Sequence, residues 1–233
     1  MPGHATAQLI GDRSHQCDAT ATFTHEGRRA YVLLDGIGSN DEVRAWTRGT
    51  ARRLAGAAAR SGAGAGLRAV HAALAAEPAR RVEGAEPPCA VAVVATTETG
   101  GELEVAWCGD SRAYLLEPDA VAAVRLTTDH NMRRHLLEMG MDPGPYARNV
   151  VTSFLGDPRP DPLIDVVRVP ALGRLLLASD GAYEPLEDAG RGLEEYLRGP
   201  VRRVARELVE AAVGLGTGHA DNATVLVADL GWG

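Results

Sequence analysis

Apolar residues first gather in two short β-favourable runs, Ala19–Thr24 and Arg29–Leu34, joined by His25-Glu26-Gly27, and these predict two strands around a turn. The period then changes. Between about Glu42 and Arg60, residues Val43, Trp46, Leu54 and Ala57–Ala58 form an apolar stripe, and Asn40 and Asp41 ahead of it can cap a helix. Ser61–Gly66 predicts a flexible break, and Leu67–Ala76 a second helix with Val70, Ala73 and Leu74 on one side. Glu77–Pro88 is a polar, Pro-bearing connection rather than a domain boundary, because strand-like runs resume at once. Ala90–Ala95 and Leu103–Trp107 read as a hairpin around Glu98-Thr99-Gly100-Gly101, and Arg112–Leu116 with Val121–Leu126 as another. A short helix near Arg133–Met139, a Pro/Gly loop at Asp142–Tyr146 and strands at Val166–Val169 and Arg174–Ala178 follow. Val204, Leu208 and Ala211 sit at helical spacing within Val201–Val213, and Ala223–Leu230 is the last strand. No repeat or low-complexity segment interrupts the pattern, which predicts one α/β-layered domain over residues 1–233, rich in antiparallel strands.

Composition narrows the setting. A chain of 233 residues commonly forms one large domain with a full core, and its hydrophobic fraction of 45% is ordinary for a globular protein. Only 4% of residues are aromatic, so packing must rest on Ala, Val and Leu. A formal net charge of −7 argues against a nucleic-acid partner held by phosphate neutralisation. Every basic residue is Arg, never Lys, which with the Ala and Gly excess fits a GC-rich bacterial genome. Cys17, Cys89 and Cys108 are widely spaced and form no CxxC pair, so neither a zinc site nor a disulfide framework is indicated. No basic-then-apolar leader opens the sequence and no stretch approaches the roughly 18 apolar residues of a membrane span. A cytoplasmic protein with no membrane partner is the expectation.

Candidate chemistry lies at the strand ends. Asp35, Asp110, Asp180 and Asp221 each stand where an apolar run meets a tight turn. A carboxylate beside a core carries a desolvation cost, and two unit charges about 4 Å apart repel by roughly 4 kcal/mol at an effective dielectric near 20. Any one of these residues could be a simple turn former, since Asp-Gly is a common turn pair. Four in this order point to convergence on cations. Oxygen-only ligation suits Mg²⁺ or Mn²⁺, and two such ions roughly 3.5–4 Å apart can bridge a water and aim it at phosphorus. Gly36 lets the backbone turn sharply after Asp35, so that a carbonyl can join the site. Arg13 is a candidate to hold phosphate oxygens bidentately, with a surface salt bridge as the competing role.

The motifs in order resemble the metal-dependent protein phosphatases of the type-2C (PPM) family over nearly the whole chain. Arg13-Ser14-His15-Gln16-Cys17-Asp18 is similar to an opening Arg-x-x-Asn-x-Asp motif, and Asp35-Gly36-Ile37-Gly38 to Asp-Gly-x-Gly. Gly109–Tyr114 (GDSRAY) is the most specific stretch. Leu126–His130, Asn149–Thr152 with Leu155-Gly156, Ser179–Gly181 and Asp221–Thr224 complete the series. The resemblance implies an α+β fold: a four-layer α-β-β-α sandwich of two antiparallel sheets flanked by helix pairs. It implies two or three Mn²⁺ or Mg²⁺ ions, with Asp35 bridging two metals, the Gly36 carbonyl beside it, and Asp180 and Asp221 completing the first metal's ligands. Asp18 would hold a metal-bound water, Asp110 would help a third metal, and Arg13 would bind the substrate phosphate. The reaction implied is hydrolysis of phosphoserine or phosphothreonine by direct attack of a metal-bridging water. Partners would be phosphorylated proteins made by bacterial Ser/Thr kinases. Asp129 reads as structural, capping the helix that follows.

Several positions depart from the family pattern. Gln16 and Cys17 replace the common Asn and Glu or Gln of the opening motif, and Ser39-Asn40 replaces the frequent Gly-His, removing one candidate proton donor for the leaving group. His15 and His219 are candidate substitutes. Pro88-Cys89-Ala90 stands where a Gly-Thr-Thr run is usual, and the segment between His130 and Asn149 is short for a substrate-gating flap. Two other readings therefore stand beside a general phosphatase: a catalytically silent relative acting as a scaffold, and a phosphatase dedicated to one phosphoserine regulatory protein.

Overall fold

The computed structural model describes residues 3–98, 101–159, 162–216 and 218–231. In chain order the elements are β1 (His4–Leu9), β2 (Ala19–His25), β3 (Arg28–Gly36), α1 (Asp41–Ser61), α2 (Ala63–Ala75), β4 (Ala90–Thr97), β5 (Glu102–Cys108), β6 (Arg112–Leu116), β7 (Val124–Arg125), α3 (Met132–Glu138), β8 (Asp165–Pro170), β9 (Gly173–Ala178), α4 (Asp180–Asp188), α5 (Val201–Leu215) and β10 (Ala223–Leu230). They build two antiparallel five-stranded sheets, ordered β1-β10-β9-β6-β7 and β2-β3-β4-β5-β8.

Side chains alternate across a strand, and here both sides of the central strands are covered. Tyr31 and Leu33 of β3 point between the sheets, where they meet Leu103, Val105, Leu175, Leu177 and Leu226. Ala30, Val32 and Leu34 point the other way, onto Leu54, Ala58, Leu67 and Val70 of α1 and α2. The second sheet repeats the arrangement: Leu176, Val225 and Val227 face outward onto Tyr183, Leu186, Val204 and Leu208 of α4 and α5. Each fully buried Leu or Val contributes about 1.5–3 kcal/mol. The four-layer α-β-β-α sandwich expected from the resemblance is the observed fold.

Most predicted elements appear with small shifts of boundary. Asn40 caps α1 as expected, its side chain accepting from Val43 N at 2.9 Å. The break expected over Ser61–Gly66 shrinks to one residue, Gly62 (φ 93°), and α2 starts at Ala63. Packing explains the difference: Ala63, Gly64 and Gly66 are buried, and the Ala63 N–H is taken by Glu104 at 2.7 Å. The strand expected over Val121–Leu126 is reduced to Val124–Arg125, paired with Leu115 and Tyr114. Thr99 and Gly100, in the expected turn between β4 and β5, lie outside the described residues.

Among the strands and α-helices described, two went unforeseen. β1 (HATAQL) carries no strong apolar run and becomes a strand because β10 offers it a free edge, pairing His4 with Ala228 through Leu9 with Ala223. α4 was hidden by Pro185 and its acidic residues, yet its buried Tyr183 and Leu186 hold it on the sheet. Asp129 does not cap α3. Asn131 does, accepting from Arg134 N at 3.1 Å, while Asp129 pairs with Arg112 and Arg125.

Close backbone approach decides one turn. Gly109 has φ 104°, and a Cβ there would come within 2.2 Å of Val91 on β4. Gly109→Ala should therefore lose about 2–4 kcal/mol, combining overpacking with left-handed strain. Gly84→Ala, at φ 76° with open space around it, should lose only about 1–2 kcal/mol. Urea denaturation midpoints of the two variants would check the difference.

Candidate active site

The ends of β3, β9 and β10 and the turn after β5 meet at one edge of the sandwich. The cleft there is lined by Arg13, Asp35, Gly36, Asp110, Asp180 and Asp221. Local structure explains each placement. Asp35 is the penultimate residue of β3, and Asp180 opens α4, where its Oδ1 accepts from Gly181 N at 2.6 Å. Asp221 precedes β10, its Oδ1 accepting from Asn222 N at 2.7 Å. Asp110 follows Gly109, whose seat against Val91 brings it beside Asp35, since Val91 is the register partner of Asp35.

Asp18 sits beneath the cleft rather than on its wall. It is 2% exposed, and among the described residues neither of its carboxylate oxygens has a hydrogen-bond partner. Its backbone is well anchored: Gln16 Oε1 accepts from Asp18 N at 3.1 Å, and Gln8 Nε2 donates to its carbonyl at 3.2 Å. Asn222 stitches this segment to the last strand, accepting from Cys17 N at 2.7 Å and donating to the Ile10 carbonyl at 2.9 Å.

Gly36 is required for a reason other than the sharp turn expected. Its own backbone is not left-handed, but a Cβ would come within 2.6 Å of the Cys17 carbonyl and 2.8 Å of Val43. The glycine lets the segment before β2 and helix α1 close on the end of β3.

Electrostatics in the cleft are dominated by crowding of like charge. Burial first, then Asp180 and Asp221, push the Asp18 carboxyl up to about 8, against the pull of the nearby Thr224 and Ser179 hydroxyls. Asp35 is driven well above the usual carboxylate range by burial and then by Asp18, Asp180, Asp110 and Asp221. Asp110 is raised in the same way by burial and then Asp180. Asp180 is raised by burial and by Asp221, with the Asp35 carboxyl within hydrogen-bonding reach. Asp35 and Asp180 line the cleft and keep some accessible surface, yet burial is still the first cause of the shift at both.

Arg13 is half-exposed on the cleft wall and ion-paired with Asp221 at 2.5 Å, so it forms a salt bridge and faces the carboxylates at once. His219 also lines the cleft, whereas His15 lies beside Ser14 and Asp41 near the start of α1. Cys17 is buried at 1% exposure. Three charged lining residues escaped the sequence reading: Arg148, Glu184 and Asp188. Arg148 donates to both oxygens of Asp188 at 2.9 Å and lies 3.4 Å from Glu184, tying the segment after α3 to α4. The i,i+4 spacing of Glu184 and Asp188 would have signalled a shared face had α4 been recognised.

The donor set fits a divalent cation in kind and in charge. Every candidate is a carboxylate or a carbonyl, their crowding calls for positive charge, and the Asp18 oxygens are buried without partners. Among the described residues no three such groups are already closed into a finished cage.

The family model for protein phosphatase 2C matches residues 65–136 of the sequence. A serine/threonine phosphatase of S. agalactiae superposes with a TM-score of 0.82 at 18% identity, over 99% of this chain and 100% of that one. The chain shares the fold of this phosphatase. The Mycobacterium tuberculosis serine/threonine phosphatase PstP/Ppp gives a TM-score of 0.72 at 24% identity, over 98% of each chain. The PstP catalytic domain in complex with two manganese ions gives 0.69 at 25% identity, over 98% of this chain and 97% of that one. No curated protein matches the sequence. Among the described residues, no helix of the chain is long and apolar enough to cross a membrane.

The raised carboxyls make a pH prediction. Asp18 holds its proton to about pH 8 in the folded chain against 3.8 for the free group, so unfolding releases protons between those values. Stability should therefore fall as pH rises through that window, by about 1.4 kcal/mol per pH unit for each extra proton held. Urea midpoints in EDTA between pH 5 and 8 should show the slope, and Asp18→Asn should lessen it while Asp35, Asp110 and Asp180 keep the remainder.

Proposed function

We propose that the chain is a metal-dependent phosphoprotein phosphatase that hydrolyses phosphoserine and phosphothreonine. The observation that carries this is the convergence of Asp35, Asp110, Asp180 and Asp221 with Arg13 in one cleft, above the partnerless Asp18 carboxylate. In this reading Asp35, the Gly36 carbonyl, Asp180 and Asp221 would hold Mn²⁺ or Mg²⁺ at the centre of the cleft. Asp18 would support these ligands from beneath the cleft, and Asp110 would help to hold a further ion. Bound divalent cations would neutralise the cluster and supply an activated water as nucleophile toward phosphorus.

The remaining work falls to the chain itself. Arg13 presents a guanidinium fork, which suits bidentate capture of phosphate oxygens, and exchanges its Asp221 partner for the substrate. His219, on the cleft wall, is available to give a proton to the departing serine or threonine oxygen, a role left open by Asn40. Asn40 instead caps α1. Substrates in this reading are phosphoproteins made by bacterial Ser/Thr kinases, met in the cytoplasm by residues 1–233 acting as one phosphatase domain.

Two observations favour the scaffold alternative: among the described residues the carboxylates do not already form a closed cage, and Arg13 is held by Asp221. Hydrolysis of a phosphothreonine peptide distinguishes the two. Turnover should require Mn²⁺ or Mg²⁺, vanish in EDTA, and fall about a hundredfold or more in Asp35→Asn. Metal binding with no turnover of any phosphopeptide or phosphoprotein would sink the enzyme and leave the scaffold.

A further inference from the structure

Arg112 lies two residues beyond Asp110 in the chain, on β6, and is 7% exposed. Its Nε and Nη2 donate to the two oxygens of Asp129 at 2.9 and 2.7 Å, and its Nη1 donates to Glu187 at 2.7 and 2.8 Å. The same Nη1 donates to Tyr114 Oη at 3.2 Å, and the guanidinium carbon stands 3.7 Å from the centre of the Tyr183 ring. Tyr183, fully buried on α4, donates its Oη to the Asp110 carbonyl at 3.0 Å. One guanidinium thus holds both the helix that Asp180 opens and the ring that grips Asp110.

The strand ladder shows why such a clamp is needed. Arg112 and Ala178 are the last register pair of β6 with β9 at this end. Beyond it, each strand runs on two residues, one to Asp110 and the other to Asp180, and no β6–β9 hydrogen bonds join them there. Their spacing is left to side chains. An arginine suits the task because its planar fork can serve two carboxylates and stack on a ring together, which a lysine ammonium cannot. A buried pair such as Arg112 with Asp129 adds little net stability over apolar residues of the same volume, and Glu187 is exposed, so the use of the cluster here is geometric.

We infer that Arg112 is a positioning residue: through Tyr183 and Glu187 on α4, and braced by Asp129, it sets the spacing of Asp110 and Asp180 across the cleft. The inference rests on the metal-dependent reading of that cleft, and outer contacts of this kind typically tune metal affinity about 10–100-fold.

The test is Mn²⁺ titration of the full chain by calorimetry, with circular dichroism and urea midpoints as folding controls. Tyr183→Phe keeps the ring under the guanidinium and deletes only the bond to Asp110, and Arg112→Lys keeps the charge but loses the fork. Both should fold and bind Mn²⁺ about tenfold more weakly or worse. Where turnover is measured, raised Mn²⁺ should restore it in variants whose circular dichroism and urea midpoints without metal match the parent, so that rescue of folding is not what is read. If Arg112→Lys does not fold, Tyr183→Phe alone decides. Folded variants that bind Mn²⁺ within twofold of the parent chain would overturn the inference. A parent chain that binds no Mn²⁺ would overturn it together with the metal-dependent reading. Tight binding weakened in the variants, with no turnover in the parent, would uphold the positioning role and overturn only the phosphatase.

Discussion

Burial of the central strands on both faces is the constraint from which the rest of the molecule follows. With α1 and α2 over one sheet, α4 and α5 over the other, and the sheets pressed together, the middle of β3, β9 and β10 has no room for a charge. Unpaired ionised groups cannot sit in such layers, so they are displaced to the strand ends. At one edge of the sandwich the ends of three strands and one turn come together, and the displaced aspartates come with them. The cluster is thus a product of the core.

That crowding sets the chemistry available. Asp18, Asp35, Asp110 and Asp180 all hold protons more tightly than free carboxyls, because burial and mutual repulsion act in the same direction. Repulsion of this kind can be relieved by protons, by arginines or by cations. The chain uses arginines sparingly at the centre, where Arg13 pairs with Asp221, and more fully at the margin. There α4 is held from two sides: Arg112 takes Tyr183 and Glu187, and Arg148 takes Glu184 and Asp188. The helix that presents Asp180 is fixed by charge pairs that leave the central carboxylates free.

Several sequence departures acquire a physical meaning in the fold. Gln16 binds the backbone of Asp18, and Asn40 caps the first helix, so both unusual residues serve the geometry around the site. Pro88 offers its carbonyl to Arg80 at 2.6 Å, while Cys89 accepts from Ile37 N at 3.0 Å beside the Asp35 turn. Asp129, taken from sequence as a helix cap, is instead the brace for Arg112, a role that depends on a partner 17 positions away.

The alternation of apolar residues determined β2 to β6 and β8 to β10, and helical spacing determined α1, α2 and α5, because each pattern is local and a two-sided core tolerates few other arrangements. Motif order likewise marked Arg13, Asp35, Asp110, Asp180 and Asp221 as members of one site. Tertiary structure alone decided β1, whose weak pattern is rescued by the edge of β10, and α4, whose proline and acidic residues mask a helix held by Tyr183 and Leu186. It also decided which residues line the cleft beyond the motifs and which arginine serves which carboxylate. Pairings across 40 to 208 residues of chain, such as Arg148 with Asp188 and Arg13 with Asp221, leave no periodic trace in the sequence. They exist because the two packed sheets bring those segments to the same edge.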